Sequence, residues 1–444
     1  MTTQIFMAST LYGTATLAAA LDAGCFRPAD RRVLLVSNNS ATPETTPGVD
    51  EMPGFPQLRG RFDDVISWNE TISPFHPGGW APRPDDVPLW ERHLRLAWEL
   101  GDDDVELVVE SIQVNPALGV AQIFMGAPVT VYADGLMSYG PTRSKIDPLV
   151  GTRIDRLLHL DLVPGLTPML LTEFGVGPEI VPTAAFTDVL AELVKTGDEL
   201  PALDEPALLL GQYLSALGIL TAEEEEDLHV RMLKGAVALG HERLVFKPHP
   251  SAPARWSRAL EKEAERIGAD LTVLDTPVLA EVLYQRMRPA LVVGCFSTAL
   301  LTASALYGLP VARIGTEPLL ERLTPYENSN RVPVTIVDAL LPELTDRAAV
   351  TGQRRGATPG ELGELVRAVG FAMQPKIYPD VRPEAERFLA RHLDTDTRRY
   401  FKRRRLTSLG LPGAVPAQLA FIPRNATVRR VAKRARSFKR ATLG

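Results

Sequence analysis

Short apolar runs, each closed by a polar cluster and followed by a stretch of helical spacing, recur along this chain. Ile5-Phe6-Met7 leads into Ser9-Thr10-Leu11-Tyr12-Gly13 and an Ala-rich stretch to Ala23; Val33-Leu34-Leu35-Val36 then ends in Ser37-Asn38-Asn39-Ser40. Strand, helix and strand in that order predict a parallel sheet covered by helices. Residues 41–86, rich in Pro and Gly, read as loop, and residues 90–100 have a helical period. Leu107-Val108-Val109, Val129-Thr130-Val131-Tyr132 and Leu157-Leu158-His159-Leu160 supply further strands of the same sheet.

The pattern breaks at Thr196-Gly197-Asp198 and Pro201 and starts afresh with Ala207-Leu208-Leu209-Leu210. Helical spacing over residues 220–239, 257–267, 279–287 and 299–307 then alternates with apolar runs at 244–246, 271–274, 290–293 and 311–314. Glu223 to Glu226 and Asp227 open the first of these helices, where acidic groups complement the helix dipole. The expectation is an α/β protein of two Rossmann-like domains, residues 1–200 and 201–395, facing a central cleft, with a tail over residues 396–444.

Composition narrows this picture. With 444 residues and 45% hydrophobic content the chain can bury a sizeable core in each domain. Two cysteines, Cys25 and Cys295, are too few for a disulfide framework and suit a reducing, cytoplasmic setting. The apolar N-terminal stretch has no basic flank and no cleavage-like site, so no secretory leader is expected, and no window is long enough to span a membrane. Net charge is -6, yet from Arg398 onward there are fourteen Lys or Arg and no acidic residue. Such a tail is either a solvated appendage or a contact for an anionic membrane surface or a polyanion; nucleic acid is not an expected partner. A position on the inner face of a membrane would follow from the membrane contact.

The candidate chemistry lies where strands end, because ligands of open α/β sheets bind at the carboxyl ends of strands. Lys247-Pro248-His249-Pro250-Ser251 follows one strand, with His249 held between two prolines and able to donate to a phosphate. Lys247 adds fixed positive charge, or is simply solvated. Gly294-Cys295-Phe296-Ser297-Thr298 leads into a helix, where hydroxyls and free N–H groups bind an anion or merely cap the helix. Glu281, near another helix start, is either a ribose ligand or a surface carboxylate. In the first domain Asp134-Gly135 is a common turn or presents a general base to the cleft. Glu110 and Gln113, after another strand, line the same cleft unless Glu110 pairs with an arginine.

An acidic residue before Gly, then Lys-Pro-His-Pro, then Ser-Thr after Gly, in that order, resembles the bacterial sialyltransferases of GT-B fold. More particularly the chain resembles the bacterial polysialyltransferase family, with Ser9-Thr10-Leu11-Tyr12-Gly13, Glu110-Ser111-Ile112-Gln113 and Ala133-Asp134-Gly135 before Ser138-Tyr139 all in keeping. The resemblance runs from about Gln4 to about Asp338. It implies inverting transfer of sialic acid, or a related nonulosonic acid, from a CMP-sugar to a glycan or polyanionic glycan acceptor. In that reading Asp134 is the base, His249 assists departure of the CMP phosphate, and Ser297 and Thr298 bind it. Lys247 and Glu281 complete the donor side; Ser9, Glu110 and Gln113 fall to the acceptor side. One departure is plain: the first acidic position of the family's paired motif is Ala133.

Neither a cofactor nor a metal is expected, since the seven histidines show no metal-ligand spacing. Two other readings remain at this stage: a CDP-polyol phosphotransferase of the teichoic-acid type, and a non-catalytic polyanion-binding protein.

Overall fold

The computed structural model describes residues 1–195, 200–201, 203–249, 257–274, 276–352 and 357–414. Its first sheet contains β1 (Thr2–Ala8), β2 (Arg31–Val36), β3 (Asp64–Ser67), β4 (Asp104–Glu110), β5 (Val129–Ala133), β6 (Ile154–His159) and β7 (Pro178–Ile180). All neighbours pair in parallel in the order β3-β2-β1-β4-β5-β6-β7. Helices cover both faces, so central strands bury side chains on both sides and read as unbroken apolar runs. Ile5, Phe6, Met7 and Ala8 of β1 are all fully buried.

The second sheet comprises β8 (Ala207–Leu210), β9 (Arg243–Lys247), β10 (Asp270–Val273), β11 (Leu291–Gly294) and β12 (Val311–Arg313). Its order is β10-β9-β8-β11-β12, again all parallel. Each sheet is thus wound outward in both directions from its first strand, which is the doubly wound pattern expected from the sequence. The order reverses between β1 and β4 in one sheet and between β8 and β11 in the other, and these switch points open crevices at the strand ends. Two such units joined face to face form the GT-B architecture.

Three features depart from the sequence pattern or were invisible to it. Residues 41–86 are not all loop: Asp64–Ser67 forms β3, the edge of the first sheet. The chain after Arg331 returns to the edge of the second sheet only briefly, where Pro342 to Leu344 pair with Arg313 of β12. Helix Arg331–Leu340 packs on the turn Leu136–Tyr139, and Tyr378 donates its hydroxyl proton among Thr142, Met169 and Glu173 while accepting from the Thr142 N–H. These contacts tie the last helices to the first lobe.

The basic segment 396–444 is also more than a solvated appendage as far as residue 414. Helix Arg403–Leu409 and the turn Arg398–Tyr400 are packed down by buried Tyr400, Phe401, Leu406 and Leu411. Arg399 pairs with buried Asp338 at 2.8 Å, and Arg405 with Glu327 at 2.7 Å. Arg398, Arg403 and Arg404 face solvent. The remainder of the segment, including Lys433 and Arg434, lies outside the described residues.

Candidate active site

The first lobe builds its side of the site at the β1/β4 switch point. Thr10 caps the helix Leu11–Asp22, its hydroxyl accepting from the Gly13 N–H at 2.9 Å. Glu110, the last residue of β4, accepts hydrogen bonds from Ser9, and the Tyr132 hydroxyl lies 3.3 Å from its Oε2. Tyr132 also donates to the Met7 carbonyl at 2.9 Å, so its ring reaches from β5 across β4 to β1. Asp134 follows β5 directly. A Cβ on Gly13 would lie 3.2 Å from Asp134 Oδ2 and 3.1 Å from both the Tyr132 hydroxyl and Thr10 Oγ1, so glycine lets these groups converge without any of them giving way.

Burial dominates the electrostatics here. It raises the Glu110 carboxyl to about 7, with the Asp134 charge adding to the effect against the hydrogen bonds from Ser9 and Tyr132. It raises Asp134 to about 6, opposed only by a bond from its own backbone. A carboxylate poised near neutrality is what a general base needs, because it is both ionised and basic enough to accept a proton.

The second lobe answers from its own strand ends. Ser297 caps helix Thr298–Tyr307 and accepts from the Ala299 N–H at 3.2 Å, so the capping reading of this residue holds in the structure. Gln212, just beyond β8, takes the Phe296 N–H at 2.8 Å and clasps the two switch-point loops together. Glu225 steadies the same loop by accepting from the Leu214 and Ser215 N–H groups at 2.7 and 2.9 Å. Gly211 lets β9 approach, since a Cβ there would meet Phe246 at 2.9 Å.

Lys247 and His249 lead out of β9. Burial depresses the Lys247 pKa, partly offset by the Glu281 charge. His249 is exposed, with its ring centroid 6.2 Å from that of Tyr213, and crowding by the surrounding protein and the Lys247 charge both lower its pKa. Glu281 is not a surface carboxylate: it is 3% exposed and accepts from the Thr302 hydroxyl at 2.6 Å. Burial raises its pKa, the Thr302 bond and the Lys247 charge opposing.

The two halves meet. A Cβ on Gly135 would lie 3.3 Å from Thr298 Oγ1, which puts the loop bearing Asp134 against the helix start bearing Ser297 and Thr298. Tyr12 lies in the same seam, where the charges of Glu281 and Asp134 both act on its phenol. Ser9, Glu110, Asp134, Lys247, Glu281, Ser297 and Thr298 therefore lie along the seam between the lobes, with His249 on the strand end beside it. Gln113 is occupied elsewhere, its Oε1 accepting from the Arg143 N–H. The sequence alone assigned no role at the site to Tyr12, Gln212, Tyr213 or Glu225. For Gln212 and Tyr213 a signal existed, namely their position directly after the first strand of the second sheet.

Among the described residues, no three or more His, Cys, Asp or Glu cluster to hold a metal ion, and no helix is long and apolar enough to cross a membrane.

Among solved structures, the chain is similar to the GT-B domain of a sialyltransferase from Photobacterium damselae, with 13% identity, a TM-score of 0.38, and coverage of 79% of this chain and 97% of that one. It is also similar to UDP-GlcNAc 2-epimerase from Methanocaldococcus jannaschii, with 12% identity, a TM-score of 0.47, and coverage of 84% and 100%. No curated protein matches it. The family model for alpha-2,8-polysialyltransferase (POLYST) matches residues 4–316, a span that takes in both switch points and every candidate side chain. The chain belongs to the alpha-2,8-polysialyltransferase family and is a glycosyltransferase.

Proposed function

We propose that this enzyme transfers sialic acid, or a related nonulosonic acid, from a CMP-sugar to a glycan acceptor with inversion at the anomeric carbon and without a metal. The observation that carries this reading is the contact of Gly135 with Thr298, which sets a raised-pKa carboxyl on one lobe against a phosphate-suited helix start on the other.

In this mechanism the nucleotide phosphate sits at Ser297, Thr298 and Lys247, with His249 reaching it from β9. Bond cleavage leaves negative charge on that phosphate and positive character on the sugar, so groups placed at the leaving oxygen act mainly in the transition state. Imidazole with a lowered pKa is neutral near pH 7 and serves as an N–H donor to the phosphate, a bond that strengthens as the phosphate oxygen gains negative charge. Asp134 accepts the proton of the acceptor hydroxyl as that oxygen attacks the face opposite CMP, which inverts the centre. Glu110, held by Ser9 and Tyr132, stays largely protonated below pH 7 and so keeps a second negative charge away from Asp134.

We further assign exposed Arg398, Arg403 and Arg404 to contact with an anionic membrane surface, each contributing about 1 kcal/mol when close to the charged headgroups. A direct test of the donor assignment follows CMP release from CMP-sialic acid with an oligosialic acceptor, with and without EDTA, and reads the anomeric configuration of the product by NMR. Release that needs a divalent ion, or a product of retained configuration, would overturn the mechanism.

A further inference from the structure

Tyr12 is the second residue of helix Leu11–Asp22, directly above the carboxyl end of β1 at the switch point of the first sheet. Its ring rests edge-on against Phe186, with centroids 5.4 Å apart and planes at 77°. The hydroxyl at the far end of that ring is buried and has no hydrogen-bond partner. Leaving such a group unmet typically costs about 1–3 kcal/mol, and buried polar atoms are otherwise almost always paired.

What surrounds the hydroxyl comes from both lobes. Asp134 acts on it from the first; Glu281, Tyr284 and Tyr307 act on it from the second. Three of these four neighbours already have partners: Glu281 is held by Thr302, Tyr284 donates to the Ala299 carbonyl at 2.8 Å, and Tyr307 accepts from Gln285 at 2.9 Å. Burial and the two carboxyl charges keep the phenol protonated, so it offers a neutral donor.

Position then decides what it donates to. In a glycosyl transfer the moving sugar lies between the leaving phosphate and the base that activates the acceptor. The phosphate side here is marked by Lys247, Ser297 and Thr298, the base by Asp134, and Tyr12 lies in the seam where those loops meet. We propose that the Tyr12 hydroxyl donates a hydrogen bond to an oxygen of the transferred sugar, making it a specificity-determining contact for the glycosyl unit and not for the nucleotide. This assignment rests on the CMP-sugar reading above.

The test is Tyr12→Phe, which removes one oxygen and keeps the ring against Phe186. The kcat/KM for CMP-sialic acid should fall about 10- to 100-fold, as expected for a lost bond to a polar ligand. Inhibition by free CMP should not change, because CMP lacks the sugar, and the melting temperature should hold or rise, because an unmet polar atom has gone. A structural role would instead lower the melting temperature and leave kinetics intact, and that result overturns the proposal. So does a parallel loss of CMP affinity, which would place the contact on the nucleotide. Wild-type protein that released no CMP from CMP-sialic acid would remove the donor assignment and this contact together, whereas active wild type with an unaffected Tyr12→Phe variant removes the contact alone.

Discussion

Gly135 of the first lobe and Thr298 of the second touch closely enough that the first methyl group of any other residue at 135 would stand 3.3 Å from the Thr298 hydroxyl oxygen. Gly135 has φ -134° and ψ 176°, an extended conformation open to any residue, so a side chain here is opposed by the neighbour and not by the backbone. Gly135→Ala should shift stability by no more than about 0.5 kcal/mol. It should nevertheless lower kcat/KM about tenfold, since the methyl displaces Thr298 by a few tenths of an ångström and catalysis is steep in such displacements. Gly135→Val should be worse on activity. Full activity in the valine variant, measured beside a thermal melt, would show that the lobes do not need this contact.

Asp134 and Glu110 set activity against stability. Their folded pKa values are raised, to about 6 and about 7, so the native state holds protons that the unfolded chain releases. Their contribution to stability is therefore complete below about pH 4 and is lost as pH climbs towards 7. Catalysis runs the other way, because the base must be ionised: kcat/KM should fall on the acid side with an apparent pKa near 6. Asp134→Asn should abolish transfer and raise stability at pH 7 by up to about 3 kcal/mol. Calorimetry across pH 4 to 8 would check it, and an Asp134→Asn variant less stable than wild type at pH 7 would contradict the burial argument.

For His249 the lowered pKa points to a role for the neutral ring. Asparagine at this position keeps an N–H donor, so His249→Asn should retain part of the activity that His249→Ala loses, the latter falling about 100-fold in kcat/KM. The free enzyme should show no further loss between pH 6.5 and 8. A basic limb near 6.5 in kcat/KM that persists in Glu110→Gln, where the titrating carboxyl is gone, would mean that the imidazolium is required.

Much of this site could be read in the sequence because it follows the central strands of two sheets. Ile5-Phe6-Met7 and Leu291-Val292-Val293 are buried on both faces, so their apolar runs are unbroken and the polar residues after them mark the crevice. β3 was hidden because Asp64–Ser67 is an edge strand, half-buried throughout and short. Glu281 looks like a surface carboxylate until Thr302 and Lys247, far away in sequence, enclose it. The same holds for Tyr12, whose orphan hydroxyl exists only once Glu281 and Asp134 face each other. Charge counting also gave no sign of the packing of residues 398–414: three arginines in a row conceal Tyr400, Phe401 and Leu406, whose burial pins the segment to the fold.

That last stretch separates into anchoring and presenting residues, and the two should respond independently. Asp338 is buried and accepts from the Tyr400 hydroxyl at 2.8 Å and the Thr316 hydroxyl at 2.6 Å, with Arg313 and Arg399 at 3.1 and 2.8 Å. Removing one donor from a buried charge leaves a partly unmet carboxylate, so Tyr400→Phe should cost about 1–2 kcal/mol of stability. It leaves the outer arginines in place, and vesicle binding should persist. Arg403 and Arg404 are exposed, so reversing both to Glu should spare the melting temperature. With the attraction of each arginine worth about 1 kcal/mol, the reversal should weaken binding to phosphatidylglycerol vesicles by at least about tenfold and reduce its salt dependence. Equal binding by wild type and the doubly reversed variant would remove the membrane assignment from this face, whatever the Tyr400→Phe variant does to the melt.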